Sequence, residues 1–253
     1  VASCVAGLFG VEDGLRLIAE RGRLMQELPG GGGMSAVLGD EGAVRESMKG
    51  YEDRVSVAAV NGPENVVLSG ESKALGEVLG VLHKKGIKSK ALTVSHAFHS
   101  PLMEPMLHEF EQVARSVKYQ TARVGIVSNA TGKVARPGEM ESAGYWVRHV
   151  REAVQFSASM KTLEEKGFEV FLELGPSPVL LGMGRRCVRE EKGAWLPTLR
   201  KGKEDWSQVL ESASELWVRG VEVDWEGFDA PYRRRRVTLP TYPFVEDAQY
   251  ERS

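Results

Sequence analysis

Cysteine is scarce in this chain of 253 residues: Cys4 and Cys187 are its only two. They supply neither a disulfide framework nor, by themselves, the four ligands of a structural zinc site. That scarcity points to a reducing, cytoplasmic compartment. Long apolar runs are missing as well. The uncharged start, Val1 to Val11, falls far short of the roughly 20 apolar residues that span a bilayer. Charge of one sign is not in excess: 33 Lys and Arg against 35 Asp and Glu leave −2. No global field therefore draws the chain to nucleic acid or anionic lipid. Aromatic residues do not interleave with basic ones, as a base-stacking surface requires. The chain opens on Val without a basic-then-apolar leader, and reads as a piece of a longer polypeptide.

What is present is a mixed α/β pattern. Residues 11–28 form an amphipathic helix, with Val11, Leu15, Leu17, Ile18, Leu24, Met25 and Leu28 in one arc and Glu12, Arg16, Glu20, Arg23 and Glu27 opposite. Arg21 breaks the pattern and points into the apolar arc. Pro29 and Gly30 to Gly33 end the helix. This glycine run lacks the Lys and Ser/Thr of a phosphate loop and follows a helix rather than opening one, so it reads as a hinge. From Met34 to Thr93 the rhythm is strand, helix, strand, strand, helix, strand, the βαββαβ order of a ferredoxin-like unit inserted between residues 1–32 and 94–198. The turn Asn61-Gly-Pro63 separates its middle strands.

Further on, Leu102, Met106, Phe110, Val113 and Val117 keep helical spacing. Strands are expected at 124–127 and 170–174. Helices are expected near 145–150, 157–165, 178–189 and 205–218. Residues 199–253 read as a linker, whose arginines 233–236 and prolines favour an extended, partner-facing tail.

Two signals carry chemistry. Ser95-His-Ala-Phe-His-Ser-Pro101 holds two of the five histidines in a loop between a strand and a helix. Such a histidine serves as general base to a nucleophile, or merely caps the surface; no acidic or thiol cluster beside it suggests a metal. Arg21 either forms an internal salt bridge or grips a ligand carboxylate through paired hydrogen bonds.

Taken together, these stretches resemble the acyltransferase domains of modular polyketide synthases, relatives of malonyl-CoA:acyl-carrier-protein transacylases. The resemblance rests on Val5-Ala-Gly-Leu-Phe9, Leu15-Arg-Leu17, Arg21-Gly-Arg-Leu-Met-Gln26, Val60-Asn-Gly-Pro63, Val67-Leu-Ser-Gly70, His96-Ala-Phe-His99, Phe171-Leu-Glu-Leu-Gly-Pro176 and Leu239-Pro-Thr-Tyr-Pro-Phe244, in that order. It implies a hydrolase-like parallel-sheet core, incomplete here, with the ferredoxin-like unit inserted at 33–93. It also implies roles. His99 is the general base, and Arg21 holds the free carboxylate of a dicarboxylic acyl group. His149, in Tyr145-Trp-Val-Arg-His149, offers its main-chain carbonyl to orient the base in place of a triad acid. His96, Phe98, Asn61 and Asn129 border the acyl pocket.

The reaction implied is transfer of malonyl from malonyl-CoA, through a serine ester, to the phosphopantetheine thiol of an acyl carrier protein, without a bound cofactor. Phe98, where methylmalonyl-type members carry a serine, implies malonyl selection. An adjacent ketosynthase is the implied neighbour. The family's Gly-His-Ser-x-Gly elbow and its Gly-Gln-Gly segment do not occur in this sequence. Ser3, in Ala2-Ser-Cys4, lacks the glycines of such an elbow. The expectation is a truncated acyltransferase, inactive alone, completed by an N-terminal part. The alternative is a non-catalytic module that docks a carrier protein or ketosynthase. A lipase-like hydrolase shares the triad logic but leaves Arg21 unexplained.

Overall fold

Alternating Val55, Val57 and Ala59 and the continuous apolar run Val66 to Leu68, separated by the turn at Gly62 and Pro63, build a hairpin around which the first half of the chain folds. The computed structural model describes residues 1–189, 193–233 and 237–241. Its elements run α1 (Ala2–Val5), α2 (Val11–Gln26), β1 (Gly32–Leu38), α3 (Glu41–Ser47), β2 (Val55–Gly62), β3 (Asn65–Glu71), α4 (Ser72–Lys84) and β4 (Lys88–Ala91). A 3₁₀ turn (Pro101–Met103) then leads into α5 (Glu104–Arg115), α6 (Ala143–Arg151), α7 (Phe156–Glu165), β5 (Val170–Glu173), α8 (Val179–Gly184), β6 (Ala194–Pro197), α9 (Asp205–Val218) and α10 (Trp225–Asp229).

The βαββαβ order is as expected, and the sheet it makes is antiparallel throughout, in the order β2-β3-β1-β4. Val37, Val55, Val66 and Leu68 from its strands meet Val44 of α3 and Val78 and Leu82 of α4, all fully buried. Each such side chain contributes roughly 1.5–3 kcal/mol by leaving water. Gly70 pairs with Val55, and a Cβ there would stand 2.2 Å from the Arg54 carbonyl oxygen, so only glycine permits this strand spacing.

A second core joins α2, α5 and α6 through Leu17, Leu24, Met25, Met106, Phe110, Tyr145 and Val150. The two cores are tied by residues after α6. Val154 forms a parallel bridge beside Ala59, with Val60 N–H donating to Val154 O at 2.9 Å and Val154 N–H to Ala58 O at 2.9 Å. The bridge falls where β2 shifts register against β3, so the irregular edge accepts a new neighbour.

Three elements differ from expectation. Residues 124–127 form no strand, only the single antiparallel bridge Val127–Val134. The preceding segment instead spends its N–H groups on the start of the chain, from Gln120 to Leu8 O and from Arg123 to Ala6 O. Among the described residues, parallel pairing is thus limited to β5 with β6 and the bridge at Ala59. Helix α8 ends at Gly184 rather than near 189; its start is held by Glu173, whose carboxylate accepts from the Leu180 and Leu181 N–H groups at 3.0 and 2.8 Å. The apolar arc of α2 is only half covered: Leu17, Leu24 and Met25 are buried while Val11, Leu15 and Ile18 are exposed. In the expected linker, α9 matches its predicted bounds and α10 is an additional short helix. Residues 234–236 and 242–253, most of the arginine run and the end of the closing motif, lie outside the described residues.

Candidate active site

The loop 92–100 carries His99 out of β4 and is fixed at both ends. The His96 ring is buried and donates from Nε2 to the Leu28 carbonyl at 3.1 Å. Ala97 packs against Gly32, where a Cβ would approach to 2.6 Å from the Ala97 methyl. Ser100, fully buried, donates to Ala97 O at 2.6 Å and caps the 3₁₀ turn by accepting from Leu102 N–H. Between these anchors His99 adopts φ +58°, the one non-glycine left-handed residue among the described residues. Such a backbone costs on the order of 1–3 kcal/mol and persists where the surroundings over-determine it, typically at functional sites.

His99 Nδ1–H donates to the main-chain carbonyl of Glu152 at 2.8 Å. A carbonyl only accepts, so this bond fixes the tautomer and leaves the Nε2 lone pair free. Burial and the nearby Arg21 charge push the imidazole below its ordinary range, and the Glu152 bond partly offsets them. His99 is therefore neutral at pH 7, ready to take a proton at Nε2.

The carbonyl expected from His149 is thus supplied by Glu152. The reason is where α6 ends. Glu152 is the C-cap, with extended dihedrals (φ −80°, ψ 157°) that turn its carbonyl off the helix axis, and the Val154 bridge holds it there. His149 enters through its side chain: its Nδ1 accepts from Nη1 of Arg21 at 3.4 Å. Burial, then the Arg21 and His99 charges, lower its pKa to about 4.

Arg21 projects from α2 into this cluster, and burial lowers its pKa. Among the described residues no carboxylate pairs with it, so the internal salt bridge weighed above has no partner there. Arg21, His99 and His149 therefore converge from α2, the 92–100 loop and α6. Phe98 is half-buried against the α2–α5–α6 core, 6.4 Å from the His96 ring by centroid. His96 acts as an anchor of the loop through Leu28. Asn61, on β2, accepts the Cys187 thiol at its carbonyl at 3.4 Å, and exposed Asn129 accepts from Gln155 N–H at 2.7 Å. Both bonds use the asparagine's main-chain oxygen, and neither asparagine side chain is hydrogen-bonded to the Arg21–His99–His149 cluster among the described residues. Glu152 was missed because an orienting carbonyl has no side-chain signature; the change from helix to the apolar pair Ala153-Val154 is its only trace. Among the described residues no group of three metal-binding side chains occurs, and no helix is long and apolar enough to cross a membrane.

A left-handed histidine oriented by a carbonyl, beside an arginine lacking a carboxylate partner among the described residues, defines a base-and-anion site on an α/β scaffold. The chain belongs to the acyl transferase domain family, whose model matches residues 1–223. It is 44% identical over 247 residues to polyketide synthase GfsA of Streptomyces halstedii, covering 96% of this chain and 3% of that protein. With the spectinabilin polyketide synthase system protein NorB of Streptomyces orinoci it shares 41% over 247 residues, 96% of this chain and 11% of the relative. The acyltransferase domain from the second module of the salinomycin polyketide synthase superimposes with a TM-score of 0.88 at 45% identity, over 96% of this chain and 57% of that one. A malonyl CoA-acyl carrier protein transacylase from Clostridium perfringens gives 0.78 at 25%, over 87% and 70%. The chain thus spans a small part of the curated relatives and little more than half of the first of these solved domains.

Proposed function

We propose that this chain supplies the base and the carboxylate clamp of an acyltransferase that moves malonyl from malonyl-CoA to the phosphopantetheine thiol of an acyl carrier protein. The observation that carries the reading is Arg21: a partly buried guanidinium, without a carboxylate partner among the described residues, in one cluster with a neutral histidine base. A malonyl group brings the missing carboxylate and presents its thioester to the nucleophile. The names of the relatives, polyketide synthases and a malonyl CoA-acyl carrier protein transacylase, support the substrate and the partner.

Chemically, His99 Nε2 takes the proton of a serine hydroxyl as that oxygen attacks the thioester carbonyl. Collapse of the tetrahedral adduct breaks the C–S bond, and His99 returns the proton to the departing CoA sulfur. The carrier thiol then attacks the ester by the same route in reverse. The serine sits outside these 253 residues, since no Gly-His-Ser-x-Gly elbow occurs among them. The exposed Val11, Leu15 and Ile18 face of α2, bordering a cavity of about 460 Å³ lined also by Phe9, Phe110 and Trp146, is apolar surface that a preceding segment of the same domain would cover.

On this reading residues 1–32 and 94–198 belong to the acyltransferase core, 33–93 to the small subdomain and 199–253 to a linker toward a ketosynthase, in the cytoplasm. Asn61, Asn129, His96 and Phe98 border the acyl pocket. The test is transfer from malonyl-CoA and acetyl-CoA by the acyltransferase carrying this chain. Arg21→Ala should cut malonyl transfer by roughly ten- to a hundredfold, the worth of a hydrogen bond to a charged group, and leave acetyl transfer nearly unchanged. Equal losses would make Arg21 structural and overturn the reading.

A further inference from the structure

Arg21 needs a direction as well as a charge. A guanidinium carries five N–H donors in a rigid fork, so rotation about its stem decides whether two of them meet a ligand carboxylate together. We infer that His149 is a positioning residue for acyl-group selection: its Nδ1 holds Nη1 of Arg21 and turns the remaining donors toward the acyl carboxylate. The inference rests on the function proposed above and names the residue that makes the clamp selective.

Three observations carry it. The Nη1···Nδ1 separation is 3.4 Å, between side chains on different helices, α2 and α6. The imidazole is itself held in place: its ring lies 6.0 Å from that of Tyr145 and 5.9 Å from that of Trp146. Tyr145 Oη shares a hydrogen bond with Ser128 at 3.1 Å, and Trp146 Nε1–H donates to Met140 O at 3.1 Å, so neither neighbour turns freely. Third, the acceptor brings no negative charge. An aspartate or glutamate in this place would neutralise Arg21 and compete with the ligand for its donors. An imidazole directs the fork and leaves its charge for the substrate. Burial and the Arg21 charge keep that imidazole unprotonated at physiological pH, as an acceptor must be.

The first arm of the test needs no substrate. In the acyltransferase carrying this chain, labelled with nitrogen-15, the His149 imidazole should show a bare Nδ1 and a protonated Nε2 at pH 7. A protonated Nδ1 would overturn the inference, because it has no lone pair for Arg21. The second arm compares malonyl-CoA with acetyl-CoA in the acyltransferase carrying this chain. His149→Asn, which restores an acceptor, should keep the malonyl preference within about threefold. His149→Leu should raise KM for malonyl-CoA by about tenfold or more, and by more than it changes KM for acetyl-CoA. His149→Glu, which supplies a carboxylate of its own, should abolish the preference while the protein stays folded. If His149→Leu does not fold, the Glu and Asn variants decide. Equal effects on both substrates, or a malonyl preference intact in His149→Glu, would sink the inference. Arg21→Ala separates the two layers: a malonyl preference that survives it ends the proposed function itself. A preference lost in Arg21→Ala yet kept in His149→Leu and His149→Glu ends only the positioning role.

Discussion

Nδ1 of His99 lies 2.8 Å from the carbonyl oxygen of Glu152, and that bond links the loop leaving the sheet to the end of α6 at the base. His99 arrives on the loop that leaves the ferredoxin-like sheet. Glu152 arrives at the end of α6 and is pinned two residues later to β2 of the same sheet. The base is therefore oriented by a backbone group whose position depends on how helix and sheet pack, and the left-handed φ of His99 is the strain that this arrangement stores.

The pH dependence of transfer follows from that environment. Burial and Arg21 push His99 below the ordinary histidine range of about 6.5. The acid limb of kcat/KM in the acyltransferase carrying this chain should then fall below pH 6.5, with activity on a plateau at pH 7. His99→Ala should remove the limb and lower the rate by roughly a hundred- to ten-thousandfold. An acid limb centred above pH 7 would contradict the assignment.

Stability should fall in acid because of His149. Its pKa in the fold is about 4, below the unfolded value, so the unfolded chain takes up a proton first as pH drops. The contribution is fully present above about pH 6.5 and is lost progressively as pH falls through about 4, below which both states are protonated. The loss is on the order of 2–3 kcal/mol. Urea unfolding of wild type and His149→Asn at pH 7.5 and 5 measures it: the wild type should lose more stability between the two pH values than the variant does. Identical losses would refute the shift.

Phe98 should set the preference at the α-carbon of the acyl group. Its ring is half-buried against the helical core, on the residue next to the base, and on the proposed reading it borders the acyl pocket. Excluding one methyl is worth about 1–3 kcal/mol. In competition between equimolar malonyl-CoA and methylmalonyl-CoA, Phe98→Ser should move the product ratio toward methylmalonyl by roughly ten- to a hundredfold. A ratio that does not move would confine Phe98 to packing.

Gly32 should matter to the site although it lies on β1. A Cβ there would come within 2.6 Å of the Ala97 methyl and 2.7 Å of Leu102, on either side of His99. Gly32→Ala should cost roughly 1–3 kcal/mol by overpacking and lower kcat more than it raises KM, because the loop carrying the base is displaced. Denaturant midpoints and steady-state kinetics check both parts. An unchanged kcat would show that the loop absorbs the methyl without moving His99.

The sequence by itself determined the ferredoxin-like unit and the two groups that stand out chemically. Strands β1 to β4 and helices α3 and α4 follow their expected order, since period-two and period-3.6 patterns are local properties of the chain. Arg21 was visible as a charge on an apolar stripe, and His99 as a histidine in a loop between regular elements. Only the tertiary structure decided the rest. Residues 124–127 have strand-like composition, but a strand requires a neighbour with free N–H and C=O groups, and the preceding residues 120 and 123 are bonded to 8 and 6 instead. The orienting carbonyl passed from His149 to Glu152 because a main-chain acceptor is chosen by where a helix ends, and every residue type carries one. The side chain of His149 gained its place beside Arg21 because α2 and α6 bury their aromatic and aliphatic faces in one core, which brings together residues far apart in the chain.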